Sequence, residues 1–216
     1  HDTGYWEVPY LPIDPKDVGR EYEPVVRINS QSGKGGAAFV MSTCFGYNMP
    51  KAMHPEFGAA VQAECEKAGR EITAQEVFEI FKREYIDIHG PYVLTAQKYH
   101  DDSEAPGVSC GGRFKGMIKY NGDEPRAIEG QGNGPIDAFF NALSHIGVTG
   151  YEFIDYSEHA ISVGSDAKAV SYIQLKNKEG KTIFGVGMSH NIYYASIRGV
   201  ICAINRDIQK HHMKQS

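Results

Sequence analysis

The feature that most constrains this chain is a repeat: strand, strand, strand, glycine turn, helix, and then the same order again. The first copy reads Tyr92–Tyr99, Gly112–Tyr120 and Pro125–Gly130, with a helix opening at Pro135 in IDAFFNALSHIG. The second reads Tyr151–Ile161, Ala169–Leu175 and Thr182–Met188, with a helix opened by Asn191 and an apolar face of Tyr194, Ile197, Ile201, Ile204 and Ile208. Asn121-Gly122 is a type I′ hairpin signal, and Lys178-Glu179-Gly180 marks another turn. Gly130-Gln131-Gly132 and Gly185-Val186-Gly187 hold matching places before the two helices. Repeats of this kind bury a shared sheet face under their helices. They also create two related helix starts, whose free amides attract a carboxylate or phosphate. Alternate glycines leave a bare backbone face in EGQGNGP, which a ligand or another chain can approach closely. Pro135 suits a first helical turn.

Upstream the pattern changes. His1–Arg20 places Pro9, Pro12 and Pro15 three residues apart among Tyr5, Trp6, Val8, Tyr10, Leu11 and Ile13, which predicts a stiff extended arm that packs on another domain or subunit. Arg27–Gly36 (RINSQSGKGG) lacks the first glycine and the hydroxyl residue of a phosphate-binding loop, so a loop with open amides is expected. Ala37–Met41 fits a short helix or a strand. Pro55–Ala68 reads as a helix, and Thr73 with Glu76 forms a capping box ahead of Val77, Ile80, Phe81 and Tyr85. The expected class is α+β, with extended and helical linker subdomains before a domain of two repeats. The boundaries are 1–33 for the extended linker and 34–90 for the helical subdomain. A domain at 91–209 divides near 148/149, and a tail follows at 210–216.

A chain of 216 residues with 41% hydrophobic content carries a real core. Its net charge of −5 comes without a basic block, which argues against nucleic acid and anionic membrane as partners. No apolar run reaches the roughly 18 residues of a membrane span. Cys44, Cys65, Cys110 and Cys202 are widely spaced and form no CxxC, which fits a reducing cytoplasm rather than a disulfide or zinc framework. The chain starts at His1 with an interdomain-like segment, so a piece of a longer protein is expected.

WEVPYLPIDPKDVGR (Trp6–Arg20), RINSQSGKGGAAFVM (Arg27–Met41), GQGNGP (Gly130–Pro135), DYSEHA (Asp155–Ala160) and GVGMS (Gly185–Ser189) together resemble the C-terminal half of the 2-isopropylmalate synthase family. The resemblance runs in order over almost the whole chain. It implies an enzyme that condenses acetyl-CoA with 2-oxoisovalerate on a divalent metal held in a catalytic barrel. Linker subdomains follow in the family, then a regulatory domain where leucine binds at a homodimer interface and inhibits. The barrel is absent from these residues, so no cofactor is expected in this chain and the chain alone should be inactive. Tyr10 matches the linker tyrosine that reaches toward the active site, the one candidate catalytic residue carried over.

The resemblance maps the leucine pocket onto Ile136, Phe153, Tyr156, Ala160, Ala167 and Ile192. Asp137 stands where the related sequence has a small apolar residue. Physical chemistry adds Gly132 and Gly134, whose bare backbone could approach the ligand's head group. Asp155, Glu158 and Asp166 offer charge for an ammonium, and backbone carbonyls could serve equally. For each residue alone, ordinary core packing or a solvated charge is the alternative. Two other functions compete. One is a sister regulatory domain reading another end product, such as isoleucine in citramalate synthase. The other is a stand-alone metal enzyme using His100, His145, His159 or His190, which no ligand spacing supports.

Overall fold

The computed structural model describes residues 26–102, 106–107 and 111–216. The arm at 1–25, with Tyr10, lies outside the described residues. The chain divides into two compact units, one at residues 88–158 and 169–216, the other taking in the described residues up to Asp87 together with 159–168.

In the first unit, β1 (Arg27–Ile28) pairs antiparallel with β2 (Ile72–Thr73), which ties these upstream residues to the start of the third helix. Helix α1 spans Gly33–Phe45. The expected open loop is therefore shorter, and Ala37–Met41 is helical and not a strand. Asn29 organises the approach by accepting the amides of Gln31 and Ser32 on Oδ1 at 3.0 and 2.9 Å. Ala37, Ala38, Val40 and Met41 are all buried, and this packing overrides the poor helix propensity of Gly33, Gly35 and Gly36. Gly46 ends the helix in the left-handed region at φ 76°, returning its amide to Met41 and Ser42.

Helix α2 (His54–Ala68) carries proline in its first turn and ends at Gly69. Helix α3 (Ala74–Phe81) has the expected capping box: Thr73 Oγ1 accepts the Glu76 amide, and Glu76 Oε1 accepts the Thr73 amide. Arg70 closes on Glu76 at 2.8 Å, and this hydrogen bond, more than any other cause, holds the Glu76 carboxyl down to about 2. Phe57, Phe81 and Tyr85 form the aromatic centre of the unit, with Phe57 edge-on to Phe81 at 5.6 Å.

The second unit holds most of the repeat. Sheet β3 (Tyr92–Asp101), β4 (Gly112–Tyr120) and β5 (Arg126–Gly132) is antiparallel in sequence order, followed by α4 (Pro135–Ser144). A second three-stranded sheet, β6 (Glu152–Val163), β7 (Asp166–Lys176) and β8 (Thr182–Ser189), is followed by α5 (Ile192–Gln215). The β4–β5 turn places Asn121 and Gly122 at φ 48° and 79°, as a type I′ turn demands. Helix α5 continues through Gln215, so all but Ser216 of the expected tail at 210–216 is helical.

The paired glycines answer to the helices. A Cβ on Gly130 would strike the Ala138 carbonyl and the Ala142 amide, and one on Gly185 would strike Gly199 and Ala203. Each helix thus lays a stripe of small residues on its preceding strand: Ala138 and Ala142 on β5, and Ala195, Gly199 and Ala203 on β8. The chain's own following helix packs against the bare backbone of Gly130, Gly132, Gly185 and Gly187. The remaining faces of the helices meet in one core with Phe114, Phe139, Leu143, Ile173, Leu175, Ile197 and Ile204. Across this core α5 grips the first strand: buried Asn205 accepts the Tyr92 amide and donates to the Tyr92 carbonyl, each at 2.8 Å.

Candidate functional site: a cavity between two helix starts

Because the two repeats pack helix to helix, the starts of α4 and α5 come together. At the first, β5 ends at Gly132 and Gly134 stands at the N-cap in extended geometry, φ −173°. Its carbonyl accepts the Ala138 amide, while Asp137 Oδ2 accepts the Asn133 amide at 2.9 Å. At the second, Asn191 caps α5 by accepting the Tyr193 amide at 2.8 Å and donates its own amide to Ser189 Oγ. Ser196, one turn into α5, donates to the Ile192 carbonyl and meets Ser171 Oγ at 3.4 Å.

A cavity of about 500 Å³ lies here. It is lined by Asn133–Asp137 and Phe140 of the first start, Ile192, Tyr193 and Ser196 of the second, and Phe153, Tyr156 and Glu158 of β6. Ile136, Phe140, Phe153, Tyr156 and Ile192 make its wall largely apolar. The first turn of each helix adds amides that have no intrahelical partner. Asp137 and Glu158 are its charged side chains; no Lys, Arg or His lines it. Such a cavity suits a small ligand with an apolar body and a charged head.

Of the residues proposed from the sequence, Gly134, Ile136, Asp137, Phe153, Tyr156 and Ile192 line this cavity. Gly132 does not: it lies buried against α4, where a Cβ would sit 2.6 Å from the Ala138 nitrogen. Ala160 and Ala167 also do not line it; they lie on the outer part of the β6–β7 hairpin, within the residues that group with the first unit. There the His159 ring accepts the Asn48 amide on Nε2 at 3.2 Å and faces the Ala160 carbonyl with Nδ1, which fixes a neutral tautomer. Of the candidate acids, Glu158 lines the cavity, whereas Asp155 accepts the amide of Tyr156 on its own strand. Sequence reasoning did not name Asn133, Pro135, Phe140, Tyr193 or Ser196 as lining residues. Phe140 and Ser196 stand four residues beyond predicted lining residues, Ile136 and Ile192, and so share their helix faces. Among the described residues, no group of three His, Cys, Asp or Glu is arranged to hold a metal ion. None of their helices is long and apolar enough to cross a membrane.

Residues 71–208 match the family described as the LeuA allosteric (dimerisation) domain. The chain belongs to this family. The LeuA domain match takes in α3 as well as both repeats, so the family's domain begins inside the first unit. Residues 1–42 match the alpha-isopropylmalate synthase post-catalytic domain-like family. Among curated relatives, the 2-isopropylmalate synthase of Clostridium acetobutylicum is 46% identical over 202 residues, covering 94% of this chain and 36% of that protein. The synthase of Mesorhizobium japonicum is 44% identical over 208 residues, covering 95% and 36%, and that of Mycobacterium leprae 43% over 205, covering 95% and 33%. The chain thus spans about a third of the length of these relatives.

Proposed function

We propose that this chain is the C-terminal regulatory region of a 2-isopropylmalate synthase and that the cavity between the starts of α4 and α5 takes leucine. The observation that carries the reading is the convergence of two helix starts on one apolar cavity. A leucine zwitterion needs amide donors for its carboxylate, an acceptor for its ammonium, and a dry space for its isobutyl group. Two helix starts, two acids and an apolar surface meet in this wall. The matched domain and the relatives named 2-isopropylmalate synthase support this reading; the parent it implies is an acyltransferase joining acetyl-CoA to 2-oxoisovalerate in leucine biosynthesis.

Neither matched family is catalytic by its description, so the divalent metal and the chemistry belong to a barrel elsewhere in the parent protein. Tyr10, outside the described residues, would serve that barrel. The chain alone should not turn over the two substrates. Phe153, Ile154, Tyr156 and Ile192 are 41%, 39%, 47% and 41% exposed, three of them on the cavity wall, and a second copy would cover them. The assembly we propose is a cytoplasmic homodimer whose leucine-bound form disfavours catalysis through differential affinity for two states. Calorimetry with leucine, isoleucine and valine tests the ligand. Tightest binding of leucine is expected. A preference for isoleucine would move the chain to the citramalate synthases, and no binding of any of the three would refute the reading.

A further inference from the structure

Asparagine stands directly before glycine twice in this chain, at Asn121-Gly122 and at Asn133-Gly134. In such a pair the glycine nitrogen can attack the asparagine side chain, because glycine puts no Cβ beside the attacking atom. Both asparagines are exposed, so geometry is what separates them. Asn121 is locked in its type I′ turn at φ 48°. Its amide donates to the Pro91 carbonyl at 3.0 Å, and the Asp123 amide closes on the Tyr120 carbonyl at 2.9 Å. Turning its peptide plane for the attack dismantles that turn. At Asn133 the amide is held by Asp137 Oδ2 at 2.9 Å, which anchors the residue on the side away from the reacting bond. The plane leading to Gly134 is not held: among the described residues neither the Asn133 carbonyl nor the Gly134 amide is hydrogen-bonded. The Asn133 carbonyl lies against Gly111, where a Cβ would strike it and glycine leaves it clear. No atom lies within 4 Å of where a Gly134 Cβ would stand, so the plane has room to turn.

We infer that Asn133-Gly134 is a site of spontaneous modification, at which the chain loses a side-chain amide and the cavity wall gains a carboxylate. The Gly134 nitrogen attacks Asn133 Cγ. The N–Cγ bond forms, the Cγ–Nδ2 bond breaks, and Nδ2 leaves as ammonia, taking the Gly134 amide proton. Water then opens the cyclic imide at either carbonyl. One opening gives aspartate; the other gives isoaspartate, whose main chain runs through Cβ and Cγ and is longer by a methylene. No oxidant or reductant takes part. Both products add a negative charge to a wall that already carries Asp137 and Glu158, and isoaspartate also lengthens the turn that seats α4. Resting on the leucine reading above, the modified wall repels the ligand's carboxylate, and an aged chain loses its response to leucine.

The experiment ages the purified chain at mildly alkaline pH, folded and in urea, and follows peptide masses after digestion at Lys and Arg. Asn121 falls in peptide 120–126 and Asn133 in peptide 127–168, so the two report separately. In the folded chain Asn133 should convert at least about tenfold faster than Asn121, which must first give up two hydrogen bonds. In urea the two rates should converge. Gly134→Ala should slow conversion of 127–168 by about tenfold or more, since its Cβ crowds the attacking nitrogen, and leave 120–126 unchanged. Asn121 converting as fast as Asn133 in the folded chain overturns the inference. So does a peptide 127–168 that converts only after unfolding, or at a rate that Gly134→Ala leaves alone. Should Gly134→Ala melt too low to assay, the two rates in the parent decide. The aged chain and Asn133→Asp should each bind leucine about fivefold more weakly than fresh parent in calorimetry. Unchanged binding by both overturns the effect on the cavity. A fresh chain that binds no leucine refutes the leucine reading itself and leaves the modification standing.

Discussion

Gly132 and Gly134 stand two residues apart in the same turn, yet alanine at each should do different things. In Gly132→Ala the new Cβ would lie 2.6 Å from the Ala138 nitrogen and closer still to Asp137 Oδ2, where ordinary contact begins near 3.4 Å. Helix α4 would have to give by about 0.8 Å (3.4 less 2.6), and it carries the fully buried Ala138, Phe139, Ala142 and Leu143. Overpacking of that kind costs about 1–3 kcal/mol. Removing a glycine stiffens the unfolded chain and offsets about 0.4–1 kcal/mol of this. The net loss of about 1–2 kcal/mol should lower Tm by roughly 3–6 °C in a chain of this size. At Gly134 the backbone is extended, φ −173° and ψ −177°, and no atom lies within 4 Å of a Cβ. Exchanging Gly for Ala at an N-cap costs about 0.5–1 kcal/mol, which the same unfolded-state gain of about 0.4–1 kcal/mol nearly cancels. Gly134→Ala should therefore melt within about 2 °C of the parent. Its methyl stands on the cavity wall, so leucine binding should fall instead. Thermal melts with leucine titrations on both variants separate the two roles. If Gly132→Ala melts with the parent, α4 does not rest on the glycine strand. If Gly134→Ala leaves binding unchanged, the ligand's head group is not at this turn.

Asn205→Ala should be among the most destabilising single changes, about 2–4 kcal/mol, because it strands the amide and carbonyl of Tyr92 at the start of β3; a urea midpoint equal to the parent's would refute this. Burial pushes the His159 imidazole down from its ordinary 6.5, so its neutral form is the one the fold favours. That stabilisation is complete above about 6.5 and is lost as pH falls through the lower folded-state value; melts from neutrality to about pH 5 should show a steeper decline in the parent than in His159→Gln. Light scattering should give about twice the 23.9 kDa of one chain, and a monomer mass at every concentration would count against the homodimer.

Local chemistry settled a good deal of this protein from the sequence by itself. Asn121-Gly122 requires positive φ at two successive residues, Thr73 and Glu76 satisfy each other across one helical turn, and Asn191 caps the residue two ahead; each is a contact between near neighbours, so spacing suffices to predict it. The two strand-strand-strand-helix units followed from the same periodicities. The role of the glycines did not. A bare backbone face is equally ready for a ligand or a helix, and only the tertiary structure shows that Ala138 and Ala142, or Ala195, Gly199 and Ala203, fill it. That packing also decided where the candidate cavity lies, since it sets the two helix starts side by side and brings Phe140 and Ser196 to its wall. Ala160 and Ala167 share a hairpin with Phe153 and Tyr156, but a β-strand rises about 3.3 Å per residue. Four residues beyond Tyr156 the chain is already more than 10 Å away, and nothing in the order of the residues says which stretch of a twelve-residue strand a cavity will touch.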